Sequence, residues 1–276
     1  MSLAVLTALT VSCSPTSHND SPDIPPPTSQ ALGLRFPFDA YQLSDSELHV
    51  TYEGTDVLIG ACMHKSGHTW KTVEIPHNVA SWRNRLHFGV IEPEVAKIFG
   101  YHTPAELLES PKVRAASEAM KKRDTQLGES AAQAAGKCRD SADRKLTHDA
   151  MASFGKFNEL KSTTFSAAEN DPEVRRTMKA WGACMRKEGF NYATSSEADG
   201  AKKWYRNDNG KASKEEIATA EADVRCKGKT GLVTVWFAAE KRLEEQEIRE
   251  NRSYFKNLKA ANERYLSNAR VLIPQN

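Results

Sequence analysis

The chain has 276 residues, with 38 Lys and Arg against 36 Asp and Glu and a formal net charge of +2. That balance leaves no basic excess for nucleic acid and no acidic block for an interaction tail. A hydrophobic fraction of 39%, with five Trp and ten Phe, excludes a wholly disordered chain and can fill one large domain or two smaller ones.

The first element is an uncharged apolar run, "LAVLTALTV", over residues 3–11. It is too short to span a bilayer, which takes ~20 apolar residues, and has the length of a signal-peptide core. It ends at Ser12–Cys13, followed by "SPTSHNDSPDIPPPTSQ". Such a Pro/Ser/Thr-rich stretch cannot bury enough surface to fold, so residues 13–34 are expected to be an unfolded tether. Apolar run, small residue, cysteine and tether together resemble a bacterial lipoprotein signal. This resemblance implies that residues 1–12 are removed and that Cys13 carries a lipid anchoring the protein to the outer face of the cell membrane; the alternative is plain secretion. Thr10 stands where a larger aliphatic residue is usual, and no Lys or Arg precedes the run, as expected if translation starts further upstream.

Beyond the tether, "FPFDAYQL" is an aromatic lead-in suited to packing on the fold. Ser44 with Glu47 forms a capping-box pattern that predicts a helix over 45–65. Gly54 weakens that helix by ~1 kcal/mol relative to Ala, and Gly67 marks its end. Residues 70–89 read as a loop or a short strand. Pro93 opens and Gly100 closes a short helix, and Thr103–Pro104 reads as the start of the next. Residues 110–144 read as two helices broken near Gly128, and 145–170 as a poorly defined link. Asp171–Pro172 opens a helix over 172–187 that Gly189 ends. After a turn-rich loop, Ser213 with Glu216 opens a helix reaching Cys226. From Leu232 to about Asn268 a helical pattern runs without Gly or Pro.

One phrase occurs twice: "GACMHKSGHTW" from Gly60 and "GACMRKEGFNY" from Gly182. With Cys13 assigned to lipid, Cys62, Cys138, Cys184 and Cys226 remain, an even number that suits disulfides in an exported chain. Four cysteines allow three pairings. If Cys62 and Cys184 are equivalent, each needs an equivalent partner downstream, which favours Cys62–Cys138 and Cys184–Cys226. The expected fold is mainly α, disulfide-bonded, with two related halves (35–150 and 151–276) and a long C-terminal helix.

"FPFDAY", the two GACM phrases, "FGVIEPEVAKIFGYH" and "ADVRCKGKTGLVTVWFAAE", with the signal and tether, resemble a family of uncharacterised lipoproteins and secreted proteins from actinobacteria, Streptomyces-like in particular. The likeness covers residues 36 to about 257. It implies export and a paired-cysteine helical scaffold, and brings no activity and no catalytic residues.

Patterns for known chemistry are mostly missing. Gly228-Lys229-Thr230 lacks the earlier Gly of a phosphate loop, since Asp223 stands there. No G-x-G-x-x-G, G-x-S-x-G or H-E-x-x-H occurs. His64 and His68 would share a helix face near Cys62, but Gly67 intervenes and the second copy has Arg186 and Phe190 instead; they read as polar helix-end residues, not metal ligands. Glu92 and Glu94 read as helix-start carboxylates. Glu244, Glu245 and Glu247 read as a solvated helix face. Trp204–Tyr205 reads as a loop pin rather than a sugar platform, and Trp70 and Tyr192 as core plugs. The expectation is a non-catalytic cell-envelope binding or interaction module without cofactor or metal. Its partners are the membrane through Cys13 and an envelope protein or carbohydrate. The alternatives are an envelope hydrolase with scattered carboxylates or a solute-binding lipoprotein.

Overall fold

The computed structural model describes residues 23–147, 150–205 and 211–273. Among them are eleven α-helices, three short 3-10 helices and no strand. The α-helices are α1 (Ser29–Leu32), α2 (Asp45–Lys65), α3 (Pro93–Phe99), α4 (Pro111–Thr125), α5 (Glu129–Thr147), α6 (Ala150–Glu169), α7 (Pro172–Lys187), α8 (Ser195–Asp199), α9 (Lys214–Thr230), α10 (Leu232–Glu250) and α11 (Arg252–Arg270). No helix among the described residues is long and apolar enough to cross a membrane.

The repeated phrase builds the same local structure twice. Ser44 and Glu47 form a reciprocal capping box on α2, and Asp171 caps α7 with Pro172 in its first turn. At the other end, the His68 N–H donates to Met63 O and the Gly67 N–H to His64 O. In α7 the Phe190 N–H donates to Met185 O and the Gly189 N–H to Arg186 O. These are paired Schellman closures, which need a left-handed residue; Gly67 and Gly189 have φ of 79° and 92°. The chain then folds back over its own helix. A Cβ on Gly60 would lie 3.1 Å from Trp70 Cδ1, and one on Gly182 would lie 3.3 Å from Tyr192 O. The first glycine of the phrase thus makes room for the segment that the last glycine turns back. Met63 and Met185 fill the core beneath. Cys62 is bridged to Cys138 of α5 and Cys184 to Cys226 of α9, with Cα–Cα distances of 5.6 and 5.7 Å.

Three apolar clusters organise the molecule. The largest takes Phe88, Val90 and Tyr101 together with Trp181, Cys226 and Trp236, so the two halves of the sequence share one core. A second joins Ile59, Met63 and Trp70 to Ala135 and Cys138. A third holds Phe38, Phe157, Phe255 and Leu258, and α11 packs on α2, α5 and α6.

Several expectations are corrected. The tether does not extend to residue 34: Ile24, Ala31 and Leu34 pack with the largest core, and the Thr28 N–H donates to Glu92. Those apolar side chains outweigh the Pro/Ser composition around them. Most of the link over 145–170 is helix: α5 runs on to Thr147 and α6 covers Ala150–Glu169, where Phe157, Phe165 and Ala168 reach two cores at helical spacing. Of the two readings of residues 70–89, the loop holds, with turns over 83–88. The C-terminal helical stretch breaks once, at Asn251, with φ −113° and ψ 36°. The Asn251 side chain donates to both the backbone and the carboxylate of Glu247, competing with the helix ladder. Past the break, Phe255 and Leu258 enter the third core. Ser213 caps α9 through the Glu216 N–H, but the Glu216 carboxylate instead takes the N–H groups of Tyr101 and His102.

Candidate functional site

The chemistry converges where α9 meets the turn ending at Gly89. Gly89 has φ of 68°, so the carbonyls of Phe88 and Val90 can face the same ammonium. Lys227 Nζ donates to Phe88 O at 3.0 Å, to Val90 O at 2.9 Å and to Asp223 Oδ2 at 2.9 Å. Its three donors are therefore all used. Asp223, fully buried, also accepts from Trp181 Nε1 at 2.9 Å and from the Tyr101 hydroxyl at 3.4 Å. Burial pushes the Asp223 carboxyl above its ordinary value, although Lys227 and these donors pull the other way. Burial likewise raises the Tyr101 phenol, helped by Asp223 and Asp199.

Beside this braced pair opens a cavity of about 360 Å³, within the range of small-molecule sites. Its walls include His87, Phe88, Phe165, Asp199, Lys227 and Trp236. Phe165 and Trp236 lie 5.2 Å apart between ring centroids, and Phe88 and Trp236 5.3 Å. His87 Nε2 is 2.9 Å from both oxygens of buried Glu240. Asp199 differs from Asp223 and Glu240: it makes no hydrogen bond or ion pair among the described residues. A Cβ on Gly89 would sit 3.3 Å from Asp199 Oδ2 and 3.5 Å from Lys227 Nζ. Burial raises the Asp199 carboxyl; Lys227 lowers it, and Asp223 and Glu216 add to the rise. Trp236 Nε1 is buried without an acceptor among the described residues. A larger groove of about 770 Å³ lies between α2 and residues 72–77, where Glu53 Oε2 and His77 Nε2 approach to 2.6 Å.

The residues singled out in the sequence fall elsewhere. Cys13 lies outside the described residues. Cys62, Cys138, Cys184 and Cys226 are consumed in bridges. His64 is exposed, and the Gly67 turn separates it from His68. No cluster of three or more potential metal ligands occurs among the described residues. Glu92 stands at the start of α3, as expected, but its carboxylate is buried against Arg85, Nε to Oε2 2.6 Å, and Arg85 also donates to Pro25 O and Leu107 O. Glu94 stays exposed near Lys97. Glu244 is likewise buried rather than solvated, accepting the Phe38 N–H at 2.8 Å. Trp204 is buried and donates to Ala198 O at 2.7 Å, which pins its loop. Lys229 bonds Glu188 rather than forming any phosphate loop.

Sequence reasoning missed His87, Asp199, Asp223, Lys227 and Trp236. Asp223 and Lys227 stand four apart in the Ala-rich helix, a visible pair, but the same spacing is ordinary on solvated helices. The cavity's other walls come from four separate elements. The molecule is thus a disulfide-stapled helical protein with a small aromatic and charged cavity. No protein-family model, curated protein or solved structure matches the chain.

Proposed function

We propose that this is an exported cell-envelope protein, lipid-anchored through Cys13 and akin to the actinobacterial lipoproteins it resembles, which works by binding rather than catalysis. The observation that carries the anchor is the apolar run over 3–11 closed by Ser12–Cys13 and followed by a Pro/Ser/Thr tether. Two disulfides are compatible with an oxidising compartment. The binding reading is supported by a cavity that exists without rearrangement and presents one carboxylate unengaged among the described residues.

The raised Asp199 carboxyl is the one observation that favours the alternative, an acid-assisted hydrolase. Two-carboxylate hydrolysis needs a second acid group open to substrate. Asp223 is engaged by Trp181, Tyr101 and Lys227, and Glu240 by His87, so binding is the better-supported role. Mass spectrometry of the protein purified from its own membrane tests the anchor. The expected N-terminal peptide begins at Cys13 and carries an acyl mass. A mature terminus elsewhere, or an unmodified Cys13, overturns the lipid-anchored reading.

A further inference from the structure

We propose that the cavity between His87, Asp199 and Trp236 binds a small organic cation, a primary amine, with Asp199 as its counter-ion. The proposal rests on the binding role above and supplies its ligand class. Charge stoichiometry is the basis. Asp199, Asp223 and Glu240 gather around one ammonium, Lys227, and one imidazole, His87. Glu240 is engaged by the His87 imidazole through a hydrogen bond, and Asp223 is paired with the Lys227 ammonium. Lys227 has no remaining proton to donate, because the carbonyls of Phe88 and Val90 take the other two. Asp199 is therefore left half-buried with a cation nearby but no donor among the described residues, a costly state for a carboxylate.

An ammonium group supplies what is missing: a second positive charge and N–H donors for Asp199. The neighbouring faces of Phe165 and Trp236 suit the same ligand, because aromatic faces attract cations and cover apolar stems. The Trp236 N–H, which has no acceptor among the described residues, tolerates an acceptor atom on the ligand. A simple anion finds no free donor on Lys227 and is repelled by the Asp199 carboxylate in the cavity wall. Gly89 belongs to the same design. A side chain there would intrude between Asp199 and Lys227, and its left-handed φ keeps both flanking carbonyls on the lysine.

The test titrates the protein, with both bridges formed, with benzylamine and with benzyl alcohol, an uncharged compound of the same size, in mildly alkaline buffer by calorimetry. Benzylamine is expected to bind at least about tenfold more tightly than the alcohol. Asp199→Asn should reduce benzylamine to the affinity of the alcohol while helicity and both bridges persist. Equal affinity for the two compounds, no measurable benzylamine binding, or an Asn variant that keeps the preference would each overturn the proposal. The wild-type comparison decides the matter even if the variant does not fold. Failure here leaves the acyl mass at Cys13 unaffected, and an unmodified Cys13 leaves the amine titration unaffected, so the two readings fail separately.

Discussion

Glu244 is the side chain whose chemistry departs furthest from its sequence context. It sits in "EKRLEEQEIRE", a run that reads as solvated. Yet it shares a helix face with Trp236 and Glu240, eight and four residues earlier, and that face turns inward. Burial pushes its carboxyl from 4.5 up to about 8; the Phe38 N–H opposes the rise, and Glu240 and Asp39 add to it. Between those two values the folded protein holds a proton that the unfolded chain has released. Stability is then greatest toward the acid end of the window and is lost as pH rises through about 8. Allowing for water at the helix surface, we expect a loss of roughly 2 kcal/mol across the window from this residue. Glu244→Gln keeps an acceptor for Phe38 and carries no charge. It should match wild type near the acid end and be ~2 kcal/mol more stable above pH ~8, by urea denaturation. A difference between the two proteins that does not change with pH would mean that Glu244 is ionised throughout.

Among the elements, helix starts and stops were the most legible, because each is decided by side chains within a few residues. Ser44 with Glu47, Asp171 with Pro172, and the two glycine stops all form the structures their spacing predicts. Legibility fails where distant segments compete for the same group, as when Glu216 leaves its own cap for Tyr101 and His102. The cavity was illegible for the same reason, since only the fold brings Gly89, Asp199 and Lys227 together. Helix α6 was hidden differently: polar residues between Phe154, Phe157 and Phe165 masked a true helical repeat. Gly54 illustrates how packing reverses a propensity argument. In an isolated helix, replacing it with Ala would gain ~1 kcal/mol. Here a Cβ would lie 2.9 Å from Ala269 Cβ and 3.0 Å from Ala269 Cα, where α2 crosses α11. Backbone atoms cannot move aside cheaply, so the helices must separate. Gly54→Ala is expected to destabilise by ~1–3 kcal/mol in chemical denaturation; a stabilised variant would show that this crossing is loose.

At the scale of the molecule, the two staples sit in unequal settings. Cys184–Cys226 ties α7 to α9 inside the largest core, beside Trp181 and Trp236. Cys62–Cys138 ties α2 to α5 around a much smaller cluster, and a hollow of about 320 Å³ opens beside it, lined by both sulfur-bearing residues. Chain entropy credits each bridge with ~4 kcal/mol. That amount is a larger share of what holds α2 and α5, because less apolar surface supports them. Under limiting reductant, Cys62–Cys138 should therefore open first, which alkylation followed by peptide mass mapping would detect. Hydrogen exchange on that singly reduced species should show α2 and α5 losing protection while α7, α9 and α10 keep theirs, as expected of separate cooperative units. The coupling between them runs chiefly through α11, which contacts α2, α5 and α6. Simultaneous loss of protection in both regions would mean that α11 transmits the full stability of the large core, and that the molecule unfolds as one unit despite its three clusters.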